Sequence, residues 1–284
     1  MSDDTFDARA WLRRIGYDGL REPTLATLRA VISAQTGTIP FENIDVLLGR
    51  TPGLDLGSLQ RKMIAAGRGG YCFELNALLR AGLLSLGFNV TGLIARVIRG
   101  MEIDAAEPAA HMILRVDLPD GPFLADAGFG NQTPTGPLAL RADIEQATPH
   151  EPMRLIPVGD ELALQAKPGA QWQNIYRLSQ RPALDVDYKV ANWFTATHPA
   201  SPFVSHLIVA RPGADRARQT LFNGRLTTRQ PPDRVERRML EDEASLATVL
   251  RDTFGLTVSG EDLTATLAVL DRKGTRGTTQ PFFS

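Results

Sequence analysis

The 284 residues are 43% hydrophobic and 22% charged, close to the globular average, which excludes wholesale disorder and collagen-like or fibrous chains. Lysine and arginine number 31 against 32 aspartate and glutamate, a formal charge of -1, so no global field marks nucleic acid or an anionic membrane as the partner. The single cysteine, Cys72, excludes an intramolecular disulfide and a structural zinc site built on several thiolates, and it fits a reducing compartment.

The opening MSDDTFDARAWLRR is acidic and then amphipathic, without the apolar core of a signal peptide. The uncharged stretch over residues 81–95 contains Ser85, Asn89, Thr91 and glycines, and is too short and polar to span a bilayer. A cytoplasmic protein is expected. In PTLATLRAVISAQ, Leu25, Leu28, Val31 and Ile32 fall on one helical face, with Pro23 expected in the first turn. A second helix is predicted from Leu59 to Ala66, stopped by Gly67. A third follows in CFELNALLRAGLLSLG, with apolar residues at Leu75, Leu78, Leu79 and Leu83 and Gly87 just past its end.

From Phe88 the pattern changes to short β-branched runs, NVTGLIARVI, HMILRV, PFLADAG, MRLIPV, ELALQA and NIYRLS, which predict an antiparallel sheet or small barrel. Asp120-Gly121 and Gly159-Asp160 read as hairpin turns within it. A last section opens at THPASPF, continues with LIVARP, pairs QTLF with RLTT around Asn223-Gly224, and ends in helices near EDEASLATVLRDTF and GEDLTATLAVLD. No repeat or low-complexity linker separates the sections, so they are expected to pack together.

The string RGGYCFELN is the most informative. Two glycines allow a sharp turn before a helix whose first turn holds Cys72, and the unpaired N–H groups there favour a thiolate. Four histidines could serve such a nucleophile as base. His150 and His198 sit in loop-like sequence, whereas His111 opens the strand HMILRVDL on the face shared by Ile113 and Arg115. Asp126 lies inside the apolar run FLADAGF, where an unpaired carboxylate would be costly. A hairpin turning at Asp120-Gly121 sets Asp126 opposite Arg115, so an Asp126–Arg115 ion pair competes with a relay. That register leaves His111 and Asp126 four residues, roughly 13 Å, apart along the strands. A bulge, another turn or a different strand partner must close the gap for a Cys72–His111–Asp126 relay to form.

These residues resemble the arylamine N-acetyltransferases. RGGYCFELN from Arg68 to Asn76 is similar to that family's cysteine motif, and IPFENI (Ile39 to Ile44), ARV (Ala95 to Val97), ADAGFGNQ (Ala125 to Gln132) and NWFTATHPASPF (Asn192 to Phe203) follow in the family's order. The resemblance implies an α+β fold: a helical bundle over residues 1–87 carrying the nucleophile, a central antiparallel β-barrel over 88–195 carrying base and carboxylate, and an α/β lid over 196–284. The triad is then of the cysteine-protease or transglutaminase-like type, with Cys72 accepting the acetyl group, His111 as base and Asp126 orienting it. The implied reaction is ping-pong acetyl transfer from acetyl-CoA to arylamines, arylhydrazines or N-hydroxyarylamines, in a monomer or homodimer without metal or prosthetic group. Phe41, Val97, Phe129 and Phe203 match acceptor-pocket positions, and Gly128 and Gly130 positions where the CoA pyrophosphate approaches.

Glu42 and Arg68 either form an ion pair that braces the cysteine loop or stand at the surface, two readings between which the sequence does not choose. The chain departs from the family at Ala109 and Ala110, where relatives often carry a hydroxyl, and at Gln35, where many carry histidine. Two other classes share parts of this pattern: a cysteine hydrolase with an open peptide cleft, and a non-catalytic sensor of CoA esters or aromatic ligands.

Overall fold

The computed structural model describes residues 5–231 and 233–278. Helix α1 (Ala8–Ile15) is capped by the Asp7 carboxylate, which accepts the Ala10 N–H at 2.9 Å. Helix α2 (Leu25–Thr38) takes Thr24 as its cap, so Pro23 stands before the cap rather than in the first turn. Next come the two-residue strand β1 (Phe41–Glu42), the short α3 (Ile44–Leu47), and α4 (Leu56–Leu59), which runs on into a π-helical turn (Gln60–Ala65). The second predicted helix thus begins three residues early, because Asp55 accepts the Ser58 N–H, and stops at Gly67 as expected. Helix α5 (Cys72–Ser85) starts on the cysteine and is ended by Gly87, whose φ of 83° favours glycine.

Tight packing joins these helices. The indole N–H of Trp11 donates to Gln35 Oε1 at 3.0 Å, and Gln35 Nε2 donates to the Leu75 carbonyl at 2.9 Å, tying α1, α2 and α5 together. Gln35 is therefore core glue, away from the chemistry. A Cβ on Gly82 would lie 2.3 Å from the Trp11 ring, which that hydrogen bond pins. Gly82→Ala is expected to destabilise by about 1–3 kcal/mol through overpacking, although alanine is the better helix former. A urea melt with an unchanged or raised midpoint would contradict this.

Seven antiparallel strands form the central sheet: β2 (Asn89–Val97), β3 (Ala109–Leu118), β4 (Gly121–Ala125), β5 (Leu138–Ala139), β6 (Met153–Val158), β7 (Glu161–Ala166) and β8 (Gln173–Leu178), in the order β5-β4-β3-β2-β8-β7-β6. Bridges from Ala142 to Leu155 and from Gln146 to Met153 bring the chain after β5 against β6, nearly closing the barrel. Strand alternation divides the side chains. Leu93, Ala95, Ile113 and Leu124 fill the interior, while Val90, Met112, Leu114 and Phe123 face outward into the helical core.

Helix α6 (Asp185–Thr197) follows and crosses the expected boundary at 195. A second antiparallel sheet contains β9 (Ile208–Pro212), β10 (Arg218–Phe222), β11 (Arg225–Gln230) and β12 (Arg234–Met239), with β1 at its edge beside β9. The first and third expected sections therefore share a sheet. Asn223 and Gly224, at φ 48° and 88°, form the predicted hairpin turn, and Phe222 faces Arg225. Helix α7 (Glu243–Thr248), its π-helical continuation (Val249–Thr253) and α8 (Gly260–Arg272) cover this sheet with Leu250, Phe254 and Leu270. Among the described residues no helix is long and apolar enough to cross a membrane.

Candidate active site

The cysteine loop hangs on β1. The Glu42 N–H donates to the Gly70 carbonyl at 2.9 Å, the Gly70 N–H to Pro40 O at 3.3 Å, and a Cβ on Gly69 would meet that oxygen at 2.2 Å. The Arg68 guanidinium bonds Glu42 Oε1 at 2.8 and 3.0 Å, so of the two readings the sequence left open the ion pair is the one that forms. Cys72 is thus held at the first position of α5, only 5% exposed, where the N–H groups of the first turn have no intrahelical acceptor.

His111 and Asp126 meet because two expectations about the β3–β4 hairpin were off. The turn is Pro119–Asp120, not Asp120–Gly121: Leu118 faces Gly121 and Leu114 faces Ala125. Each β4 residue is shifted by two positions toward His111, and the chain leaves the ladder after Ala125, freeing Asp126 to turn inward. His111 Nε2 lies 2.7 Å from Asp126 Oδ2. The competing Asp126–Arg115 pair does not form; Arg115 bonds Asp117 at 2.9 Å instead. A bulge also shapes the site. Ala95 faces His111 but Arg96 faces Ala109, leaving Ala110 unpaired with its carbonyl 3.8 Å from Cys72 Sγ.

Asp126 is fully buried and ringed by donors. Asn76 Nδ2 reaches its Oδ1 at 2.9 Å and the Gly128 N–H at 2.8 Å, while Asn76 also donates to the Met112 carbonyl at 2.6 Å and accepts the Ala127 N–H. Burial works against the charge, but His111 and these donors outweigh it and hold Asp126 below the usual carboxylate range. Burial likewise opposes the imidazolium, yet Asp126 and then Cys72 push His111 up to about 10. With Nε2 committed to Asp126, Nδ1 is the nitrogen left to serve the thiol.

The raised His111 value fixes a sign. A group bound more tightly to its proton in the folded state stabilises fully below its unfolded value, about 6.5, and loses that contribution as pH rises through about 10. Wild-type unfolding free energy is expected to fall across that window more steeply than that of His111→Gln, in urea melts at successive pH values. Parallel slopes would contradict the pairing.

Aromatic rings surround the three residues. Phe129 stands edge-on to His111 with centroids 5.3 Å apart, Tyr176 lies 5.1 Å from the same ring, and Phe41 and Phe203 pair at 5.9 Å. Val97, 37% exposed, sits directly across from Tyr176 at the open end of β2. Gly128 does not present a free face. Its N–H is taken by Asp126, and a Cβ there would lie 2.8 Å from Cys72 Cα, so its bareness admits the start of α5 rather than a pyrophosphate. Gly130, at φ 84°, lies beside the Phe41 ring. Of the other histidines, His150 is held by Thr135 at 3.0 Å, His198 is exposed and stacks on Phe194, and His206 bonds Asn223.

Two contributors went unassigned in the sequence. Asn76 follows Cys72 by one helical turn on the same face, a spacing that pointed at the same site. Tyr176 carried no such signal; nothing in NIYRLS places its ring beside a base 65 residues earlier.

A thiol at a helix start, facing a histidine whose far nitrogen is anchored by a buried carboxylate, can carry an acyl group on sulfur. That is the arrangement of a Cys–His–Asp site on an α+β fold. A family model described as N-acetyltransferase matches residues 24–263. The arylamine N-acetyltransferase of Escherichia coli is 40% identical over 87% of this chain and 88% of its own length. The Salmonella typhimurium arylamine N-acetyltransferase / N-hydroxyarylamine O-acetyltransferase is 39% identical over 88% and 89%. The solved structure of the Mycobacterium marinum arylamine N-acetyltransferase in complex with CoA superposes with a TM-score of 0.88 at 38% identity, covering 94% of this chain and 99% of that one. This chain belongs to the arylamine N-acetyltransferase family.

Proposed function

We propose that this protein transfers the acetyl group of acetyl-CoA to the nitrogen of arylamines, arylhydrazines or N-hydroxyarylamines through an acetyl-cysteine intermediate. The observation that carries the reading is the buried Cys72–His111–Asp126 constellation beneath a wall of aromatic rings, in a chain of this family.

Cys72 Sγ gives its proton to His111 Nδ1 and attacks the acetyl carbonyl carbon. The carbon–sulfur bond to CoA breaks, and CoA leaves as a thiol with the proton from His111. The acceptor nitrogen then attacks the Cys72 thioester and loses a proton to His111; the amide forms and the cysteine sulfur is released. Asp126 keeps the imidazole in the tautomer that makes this possible, and the orphan N–H groups at the start of α5 can accept the charge that develops on the carbonyl oxygen. Phe41, Phe129 and Phe203, with Val97 at the rim, suit a flat aromatic acceptor and disfavour water. Gly130 remains the glycine we assign to the CoA side. All three reacting residues lie in one chain, so a monomer suffices and a homodimer is compatible. The lone reduced cysteine suits a cytoplasmic setting.

Intact-protein mass spectrometry after brief exposure to acetyl-CoA, before any amine is added, tests this. Wild type is expected to gain one acetyl group that an arylamine discharges, and Cys72→Ala none. If Cys72 alkylates readily but never acetylates, a hydrolase reading takes its place.

A further inference from the structure

A cavity of about 910 Å³ lies outside the Cys72 cleft. Its walls are one face of α5, the facing side of α6 and the segment leading into α4: Ala77, Ala81, Leu84, Tyr188, Trp193 and Leu54. On α5, Cys72 and Asn76 point toward the barrel, whereas residues 77, 81 and 84 project from a different side of the helix, so this pocket and the reacting sulfur are presented by separate faces. The size falls within the range of small-molecule sites, and the walls are mostly apolar.

Two cations from the facing helices meet at this cavity. Arg80 lines it with a buried Nε that has no hydrogen-bond acceptor, and only its Nη1 is engaged, at 2.9 Å by Asp185, a carboxylate 76% exposed. Such an exposed pair is weak and easily exchanged. Lys189, one turn beyond Asp185 on α6, makes no ion pair among the described residues. The other carboxylate in the lining, Asp55, is occupied as the cap of α4, accepting the Ser58 N–H at 2.8 Å. An apolar chamber with one unanswered buried donor and one spare ammonium is complementary to an anion on an apolar body.

We propose that this cavity is a second ligand site, distinct from the acetyl-transfer cleft, for a carboxylate bearing an extended apolar chain. The carboxylate bonds Arg80 and Lys189, and the chain runs between Leu54, Ala81, Leu84 and Trp193. The floor contains Met112 and Asn192. Met112 follows His111 and its carbonyl holds Asn76, while Asn192 accepts the hydroxyl of Tyr71, which precedes Cys72. An occupant would therefore rest on neighbours of both reacting residues.

Dodecanoate below its micellar concentration is the probe, titrated calorimetrically and followed by tryptophan emission. Trp193 is 63% exposed in the cavity wall, whereas Trp11 is fully buried and Trp172 is stacked beneath Arg154 on the barrel. One dodecanoate per chain is expected, with a change in Trp193 emission that Trp193→Phe abolishes. Ala81→Phe, which fills the chamber, and Arg80→Met, which keeps the stem but removes the donors, are each expected to weaken binding about tenfold or more. Lys189→Glu, a surface change that leaves folding intact, is expected to weaken it in the same direction. Acetylation of Cys72 should be retained in all three, and excess CoA should leave the affinity unchanged. No heat with wild type, equal affinity in Ala81→Phe, or displacement by CoA would overturn the site. Equal affinity in both Arg80→Met and Lys189→Glu would overturn the assignment of a carboxylate ligand.

Discussion

Asp126→Asn is expected to slow acetylation of Cys72 by acetyl-CoA by about four orders of magnitude, the scale seen when the orienting carboxylate of a catalytic triad becomes an amide. The reason lies in the proton on His111 rather than in lost packing, because asparagine has the shape of aspartate. Oδ1 of the new side chain would keep the donors from Asn76 and Gly128. That leaves its NH2 group pointing at His111 Nε2, where Asp126 Oδ2 now sits at 2.7 Å. A donor there makes Nε2 an acceptor and moves the proton to Nδ1, the nitrogen to which the proposed mechanism passes the proton of Cys72. Time-resolved intact-mass measurement of acetyl-Cys72 checks the rate. A loss of less than about tenfold would mean that the carboxylate does not set the tautomer.

Asn76→Ala gives a milder form of the same defect. Asp126 loses one of its two donors to Oδ1 and Met112 loses the partner of its carbonyl, but the Gly128 N–H and the His111 contact remain. A smaller fall in acetylation rate is expected, and Asn76→Asp is expected to be worse than Asn76→Ala, because it sets a second carboxylate against Asp126 in a buried site.

What could be read from the sequence follows how local each signal is. Helix α5 was legible because its start, its apolar spacing and its terminal glycine all lie within 18 consecutive residues, 70–87. Parity along β3 and β4 correctly put His111 and Asp126 on one face, since alternation is a property of each strand alone. Their distance was not legible. Turning the hairpin one residue earlier preserves every inward and outward assignment while moving the partners by two positions, so the hydrophobic pattern cannot choose between the registers. The bulge at Ala110 leaves no mark either, because the extra residue is an alanine beside another alanine.

Elements that break the usual patterns were missed altogether. Helix α6 carries Val186, Val190 and Trp193 on its exposed side, so its apolar residues do not outline a buried stripe. The same side chains belong to the helix that walls the second cavity. Strand β12 has exposed residues throughout and thus no alternation, and β1 is only two residues long. Pairing of β1 with β9 joins segments about 170 residues apart, which only the folded chain brings together.

That long-range pairing makes Glu42 a structural keystone, and Glu42→Ala is expected to destabilise the protein by about 3–5 kcal/mol. Glu42 is completely buried, takes two bonds from Arg68 and one from the Ile44 N–H at 2.8 Å, and lies 4.0 Å from Lys62. Burial disfavours both cations, yet Glu42, Asp45 and their other acidic neighbours raise Lys62 and Arg68 above their ordinary values. Removing the central carboxylate leaves two partly buried cations sharing Asp45, Glu74 and Asp262, and leaves the Ile44 N–H without its acceptor. Against a total stability of about 5–15 kcal/mol, such a loss approaches unfolding at ambient temperature. Glu42→Gln keeps the shape and the Ile44 acceptor, so it should lose less, and the difference between the two variants isolates the charge. Urea unfolding monitored at Trp11, together with the rate of Cys72 alkylation, measures both consequences. A change below about 1 kcal/mol in Glu42→Ala would mean that Asp45 alone can hold Arg68 and Lys62, and that the loop is braced by its backbone bonds to β1.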